Sequence, residues 1–168
     1  MDNVRIIDLP ADRWREYRAL RLTALRTDPL AYSSTYDESV TYPDDVWQTR
    51  LAGAANIVLF AECGGRLVGT AAAILGVENE PETAQIVGVF VEPAQRGQGI
   101  GRLLLETLLA RLSMRPEIAR VRLGVTETQA PAIALYRSLG FAVVGRLEGE
   151  IRFGGRAYDE VVMERTNP

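Results

Sequence analysis

The sequence predicts one α/β domain built on a single mixed sheet. Three observations carry this expectation. Short apolar, strand-like runs alternate with segments of helical period along the 168 residues. One stretch, Val87 to Leu109, passes from an apolar strand through glycines straight into an amphipathic helix. Hairpin-like pairs joined around Gly64-Gly65 and Gly154-Gly155 flank that unit on both sides. Internal repeats and low-complexity linkers are absent from the sequence, so residues 1–168 read as one domain.

In chain order, Val4 to Leu9 alternates as a first strand. From Ala11 to Arg26, Trp14, Tyr17, Leu20, Ala24 and Leu25 recur near helical spacing, and Asp28-Pro29 ends the run. A short helix is expected from Asp44 or Asp45 to Leu51, after Pro43. Asn56 to Cys63 and Arg66 to Leu75 form a hairpin, Gly76 to Glu82 a connection, and Thr83 to Val91 the next strand. The following helix presents Ile100, Leu103, Leu104, Thr107, Leu108 and Leu112 as its core face. Ile118 to Val125 is a strand, and Ala130 to Leu139 is a helix closed by Gly140 at the position after its C-terminus. Phe141 to Leu147 and Ala157 to Met163 finish as an antiparallel pair.

Composition excludes several function classes. The hydrophobic and charged fractions, 47% and 24%, are those of a soluble globular chain. A net charge of −3 argues against a nucleic-acid partner, which calls for a basic patch. No apolar run reaches the roughly 20 residues of a membrane span, and the polar N-terminus does not have a signal peptide's layout, so a cytoplasmic protein is expected. The chain contains no histidine, which removes Ser-His and Cys-His nucleophilic chemistry and histidine metal sites together. Cys63, the one cysteine, lies in an apolar run and reads as core. No metal is expected. Chemistry must come from carboxylates, tyrosines, backbone groups or a cofactor.

The glycine-rich loop Arg96-Gly97-Gln98-Gly99-Ile100-Gly101 opens a helix whose first amides have no intrahelical acceptor. No Ser, Thr, Asp or Asn stands at the expected N-cap, and the first carboxylate is Glu106. Arg96 and Arg102 flank the start, where the helix dipole disfavours cations by roughly 0.3–1 kcal/mol. A bound polyanion would satisfy the amides and offset both arginines. The competing reading is a glycine turn before an ordinary surface helix. Gly88 and Gly124 fall inside the strands on either side of this helix, where a βαβ unit places them side by side. Glycine in a strand marks a bulge or a close backbone approach, or makes room for a large neighbour. If both strands open there, unpaired backbone groups can hold an extended amide-bearing arm. A further segment rich in hydroxyls and acids, with Tyr32, Ser33, Ser34, Tyr36, Asp37 and Glu38, either lines a polar substrate pocket or forms a solvated connection.

These residues resemble a known family. Val89-Phe90-Val91-Glu92-Pro93 followed by Arg96-x-x-Gly99-x-Gly101 is similar to the acyl-CoA signature of the GNAT superfamily of N-acetyltransferases. Ala132-Ile133-Ala134-Leu135-Tyr136-Arg137-Ser138-Leu139-Gly140-Phe141, about 35 residues on, is similar to its second motif. The resemblance implies a mostly antiparallel sheet with a central parallel pair splayed at the cofactor site and helices on both faces. It implies acetyl-CoA as cofactor. Backbone groups of Val89, Phe90 and Val91 would hold the pantetheine arm. The loop Arg96, Gly97, Gln98, Gly99, Ile100, Gly101 and Arg102 would cradle the pyrophosphate, and Tyr136 would stand near the thioester sulfur. Two departures are plain. Gln129 stands where the family usually has Asn, and Gln85 stands eleven residues before Arg96, where some members have a catalytic Glu.

The expected reaction is transfer of an acetyl group from acetyl-CoA to a primary amine of a small molecule or peptide, by direct attack in a ternary complex. Tyr136, with an ordinary pKa near 10 against about 8.5 for a thiol, would protonate or hydrogen-bond the departing sulfur. Glu38, Glu82, Glu150 and Asp159 are candidate bases, beside a water relay with no dedicated base. Tyr36, Glu38 and Gln85 are candidate acceptor-binding residues. The acidic connections, with Glu78, Glu80, Glu82, Asp37, Glu38, Glu148 and Glu150, would suit a cationic acceptor. The competing class is a non-catalytic acyl-CoA-binding sensor or interaction module. A Rossmann domain is disfavoured, because the glycines follow several strands and lack the Gly-x-Gly-x-x-Gly spacing. Edge strands in the C-terminal half can pair with a second copy, giving a homodimer.

Overall fold

The computed structural model describes residues 4–53, 56–77 and 79–168. Its strands are β1 (Val4–Ile7), β2 (Asn56–Cys63), β3 (Arg66–Val77), β4 (Glu80–Val91), β5 (Arg120–Thr126), β6 (Ala142–Phe153) and β7 (Arg156–Thr166). They join in one sheet of order β1-β2-β3-β4-β5-β7-β6. Every neighbouring pair is antiparallel except β4 and β5, which run parallel at the centre. The helices are α1 (Trp14–Thr27), α2 (Tyr36–Ser39), α3 (Asp44–Ala52), α4 (Ile100–Ser113) and α5 (Ala130–Ser138).

Strand alternation divides the core between the two faces of the sheet. On β2, Ile57, Leu59 and Ala61 pack with Leu104, Leu105, Leu108 and Leu112 of α4. Phe60, facing the other way, packs with Leu20, Ala24 and Leu25 of α1. A strand buried on both faces reads as continuous apolar sequence, as the run from Ile57 to Ala61 does. Gly69 allows α4 to lie close, since a Cβ there would stand 2.9 Å from the Phe90 carbonyl oxygen and 3.2 Å from Leu104.

The α4 face is turned from its expected position. Leu103 is exposed and Thr107 half-buried, while Leu105 and Leu109 are buried beside Ile100, Leu104, Leu108 and Leu112. The connection expected at Gly76 to Glu82 is instead a tight hairpin end: β3 runs to Val77 and β4 starts at Glu80. Arg122 draws Glu80 into the sheet, donating to its two carboxylate oxygens at 2.8 Å. Glu78 lies outside the described residues. β6 is longer than expected, reaching Phe153 rather than Leu147. It is the outer strand, and from Glu148 to Phe153 only Ile151 is buried, so burial leaves little apolar alternation to read. Cys63 is half-buried and packs against the core.

The feature that places the site is the bulge in β4. Gly88 has φ +65°, a conformation that favours glycine. The pairing with β3 shifts by one residue there, from Ala72 opposite Val87 to Thr70 opposite Phe90. Side-chain parity flips with it: Ala84 and Ile86 face α4 before the bulge, Val89 and Val91 after it. Pairing between β4 and β5 covers only Thr83–Ile86 against Arg120–Leu123. Beyond Ile86 and Leu123 the parallel strands separate, with Gly88 and Gly124 on the two lips.

Candidate active site

A cleft opens where β4 and β5 part, and it has two lobes. The larger, of about 520 Å³, is lined by the β4 end, the loop before α4, and α5 with Gln129 and Tyr136. The smaller, of about 340 Å³, lies toward α1 and holds Arg21, Arg50, Gln85 and Glu160. Ala31, Tyr32, Ile86, Val87, Gly88 and Gly124 line both. The lobes therefore meet at the splay.

In the larger lobe, Gly99 takes the N-cap of α4 at φ +81° with no side-chain cap, and Gly97 has φ +74°. A Cβ at either position would meet nothing within 4 Å, so backbone conformation rather than crowding requires glycine. Both glycines line the lobe, and left-handed residues before an uncapped helix start make a concavity of backbone amides suited to phosphate oxygens. Gly101, in the first turn, faces Leu135 and Val91 at 3.7 Å, and any longer side chain there meets both.

The two arginines behave differently from the expectation that an anion offsets them. The Arg96 Nε donates to the Val91 carbonyl at 2.8 Å, and its guanidinium pairs with Asp28. Arg102 donates to the Ser138 hydroxyl at 2.7 Å and lies 3.4 Å from Glu106. Both find partners within the chain, so the uncapped amides carry the anion argument alone. Two carbonyls of the expected arm-binding strand are also engaged, Val91 by Arg96 and Val89 by the Tyr32 hydroxyl at 2.9 Å. Each keeps a second lone pair.

Tyr136 lines this lobe and is buried against Phe141. Burial pushes its phenol up to about 12, so it stays protonated at neutral pH. Tyr32 lies close enough for Tyr136 to raise its own pKa further, beyond the larger effect of burial. Tyr32 lines both lobes, whereas Tyr136 lines the larger one.

The smaller lobe contains groups the sequence reading missed. Glu160 reaches from β7 across Gly124, where a Cβ would stand 2.2 Å from its Oε1. A side chain at position 124 would therefore displace the Glu160 carboxylate from its place in the lobe. Burial, with help from Glu150, raises the Glu160 pKa above the usual carboxylate range. Arg21 stacks on the Tyr32 ring with its guanidinium carbon 4.3 Å from the centroid, and its Nη1 is buried without a hydrogen-bond partner. The sequence signal was present only for Glu160, as a strand glycine beside a strand carrying an acid.

Of the candidate acceptor residues, Gln85 lines the smaller lobe, whereas Tyr36 and Glu38 line neither lobe. Glu38 serves the N-terminus of α2, exchanging hydrogen bonds with Thr35 as a capping box. Tyr36 packs beneath the Arg26 guanidinium. The candidate bases are likewise engaged. Glu82 pairs with Arg120 at 2.9 Å. Arg146 and the Gly149 amide hold Asp159 below its usual range. Glu150 is exposed. Two members of the expected acidic surround are neutralised, Glu80 by Arg122 and Glu82 by Arg120. Among the described residues no cluster of acidic or cysteine side chains is arranged to hold a metal ion, and no helix is long and apolar enough to cross a membrane.

Comparison with known proteins agrees with this geometry. The family model described as "Acetyltransferase (GNAT) family" matches residues 14–141. The chain is 35% identical over 117 residues to the N-alpha-acetyltransferase RimI of Mycobacterium tuberculosis, covering 68% of this chain and 70% of that one. It is 26% identical over 155 residues to the L-amino acid N-acetyltransferase AaaT of Escherichia coli, covering 90% and 92%. The structure of YncA from Salmonella typhimurium, solved with acetyl-CoA, superimposes with a TM-score of 0.80 at 23% identity over 99% of this chain and 95% of that one. With its family model, its relatives and its splayed sheet in agreement, the chain belongs to the GNAT family of acetyltransferases, enzymes that take their acetyl group from acetyl-CoA.

Proposed function

We propose that this enzyme transfers the acetyl group to a primary amine by direct attack within a ternary complex. The observation that carries the reading is the meeting of the two lobes at Gly88 and Gly124, with Tyr136 in one and Glu160 in the other. Acetyl-CoA supplies an activated acyl group and a thiolate leaving group. The amides of residues 97–102 cradle its pyrophosphate, the β4 backbone from Val89 to Val91 aligns its arm, and Gln129 lies at its side. Relatives named for N-alpha-acetylation and for L-amino acid acetylation support an amine acceptor.

The chain's own groups then divide the proton work. Glu160 accepts a proton from the acceptor's ammonium, leaving a lone pair free to attack. Backbone amides at the bulge stabilise the negative charge that develops on the acyl oxygen. Tyr136 donates a hydrogen bond to the departing sulfur. Full proton transfer from a phenol near 12 to an ordinary thiolate would run uphill, so the amine's second proton, lost as the amide forms, completes the thiol. The balance is amide, free thiol and one proton released.

Release of free CoA thiol across a panel of amines tests this reading. Acceptor-dependent thiol release is the expected result, and acetyl-CoA binding without turnover on any amine would make the chain a sensor. The same reading includes a homodimer through β6, which exposes Val143, Val144, Leu147 and Phe153 at the sheet edge. Light scattering should give twice the 18.5 kDa chain mass, and a monomer that retains full turnover would remove the dimer.

A further inference from the structure

The smaller lobe carries a charge arrangement that amine binding alone does not explain. Arg21 lines it with an Nη1 that is buried and has no hydrogen-bond acceptor. That nitrogen lies 3.9 Å from where a Cβ of Gly88 would stand, at the lip where the lobes meet. No described carboxylate forms an ion pair with Arg21. Its flat face is satisfied by Tyr32 at 4.3 Å, which leaves the edge with its fork of donors. Arg50 lines the same lobe and is near enough to repel it, lowering the Arg21 pKa further beyond the larger effect of burial. Arg50 itself lies over Tyr42 and Trp47, 5.0 and 5.4 Å from the ring centroids, and likewise forms no ion pair with a described carboxylate. Two buried or half-buried guanidiniums without a counter-ion are costly unless a ligand supplies one. Across the lobe, at Gly124, stands Glu160. The site is thus dipolar, with cations on the α1–α3 side and a carboxylate on the β7 side.

We propose that the acceptor is a zwitterion of the amino-acid type, with Arg21, supported by Arg50, holding its carboxylate while Glu160 receives its ammonium. The proposal rests on the acetyl-transfer reading and deepens it. A guanidinium edge donates two parallel hydrogen bonds to a carboxylate, which fixes the amine's direction as well as its affinity. Anchoring at the lip of the lobes points the amine toward the splay. Such a site discriminates against the corresponding amide, which brings no charge and leaves Arg21 without its counter-ion. The acidic surroundings seen in the sequence suggested a cationic acceptor. The lobe favours one that carries an anion as well.

The test compares amino acids with their own carboxamides, including α-, β- and γ-amino acids to read the spacing between the two charged ends. Free-thiol release is followed with the wild type, Arg21→Gln and Arg21→Lys. Binding of the same amino acids in the presence of CoA is measured separately by calorimetry. kcat/KM for the preferred amino acid should exceed that for its amide by about 100-fold, the order of a lost charged hydrogen-bond pair. Arg21→Gln should erase that preference, mainly through KM, and Arg21→Lys should restore part of it. Acetyl-CoA affinity and melting temperature, measured alongside, report whether each variant keeps its fold. Equal rates on acids and amides, or a preference that survives Arg21→Gln in folded protein, would overturn the anchor while leaving acetyl transfer intact. Arg21-dependent binding of amino acids without turnover would sustain the anchor and overturn the catalytic reading. Absence of both would overturn the anchor.

Discussion

Burial acts in one direction on the two groups assigned to proton work, and the consequences differ. It keeps Tyr136 protonated and raises the pH at which Glu160 ionises. Tyr136→Phe removes the hydrogen bond to sulfur and should lower kcat by about 100-fold with unchanged acetyl-CoA affinity by calorimetry. Glu160 makes a sharper pair of predictions. As a base it must be ionised, so kcat/KM should rise with pH through a pKa above the ordinary carboxylate range, and Glu160→Gln should abolish that limb. A group with its folded pKa raised destabilises the fold once ionised, so stability falls as pH climbs from the unfolded to the folded pKa. Glu160→Gln should therefore raise the melting temperature at pH 7, with the gap closing toward pH 4. A variant less stable than wild type at pH 7 would contradict the assignment. Tyr136 was legible in the sequence because its neighbours form a motif. Glu160 and Arg21 were not, because each acts through a partner distant in the chain: Gly124 for the first, Tyr32 and Gly88 for the second.

Among the elements, the bulged end of β4 and the start of α4 do most to shape the cleft, and glycines at positive φ fix both. At Gly88 a Cβ would meet nothing closer than the Arg21 Nη1 at 3.9 Å, so the penalty of Gly88→Ala is conformational, roughly 1–2 kcal/mol. Urea unfolding should read that loss, and a neutral substitution would mean that the bulge relaxes without cost. Gly99→Val adds a β-branched side chain at φ +81° and crowds the amide cradle, so acetyl-CoA binding should disappear while the fold survives. Unchanged affinity would move the pyrophosphate elsewhere. The strand-loop-helix unit was legible because glycines and a missing cap are local signals. The rotation of the α4 face was not, since leucine occupies both Leu103 and Leu105 and only packing against β2 and β3 selects between them. The extent of β6 was hidden for the opposite reason, as an outer strand has little burial to impose a pattern.

At the scale of the molecule, one parallel pair in an otherwise antiparallel sheet produces the site. Because β4 and β5 are paired only from Thr83 to Ile86, the gap beyond them joins the two faces of the sheet. The donor lobe belongs to the face of α4 and α5, and the acceptor lobe to that of α1 and α3. This order of elements was legible from the alternation of strands and helices. The charge of the acceptor lobe was not, because counting acids along the sequence ignores the arginines that pair with them across the sheet. Direct transfer through the gap is the central claim, and initial rates measured while acetyl-CoA and the amine are both varied test it most directly. Intersecting double-reciprocal lines, with no acetylated protein in the mass spectrum after incubation with acetyl-CoA alone, are predicted. Parallel lines accompanied by an acetylated enzyme would contradict it.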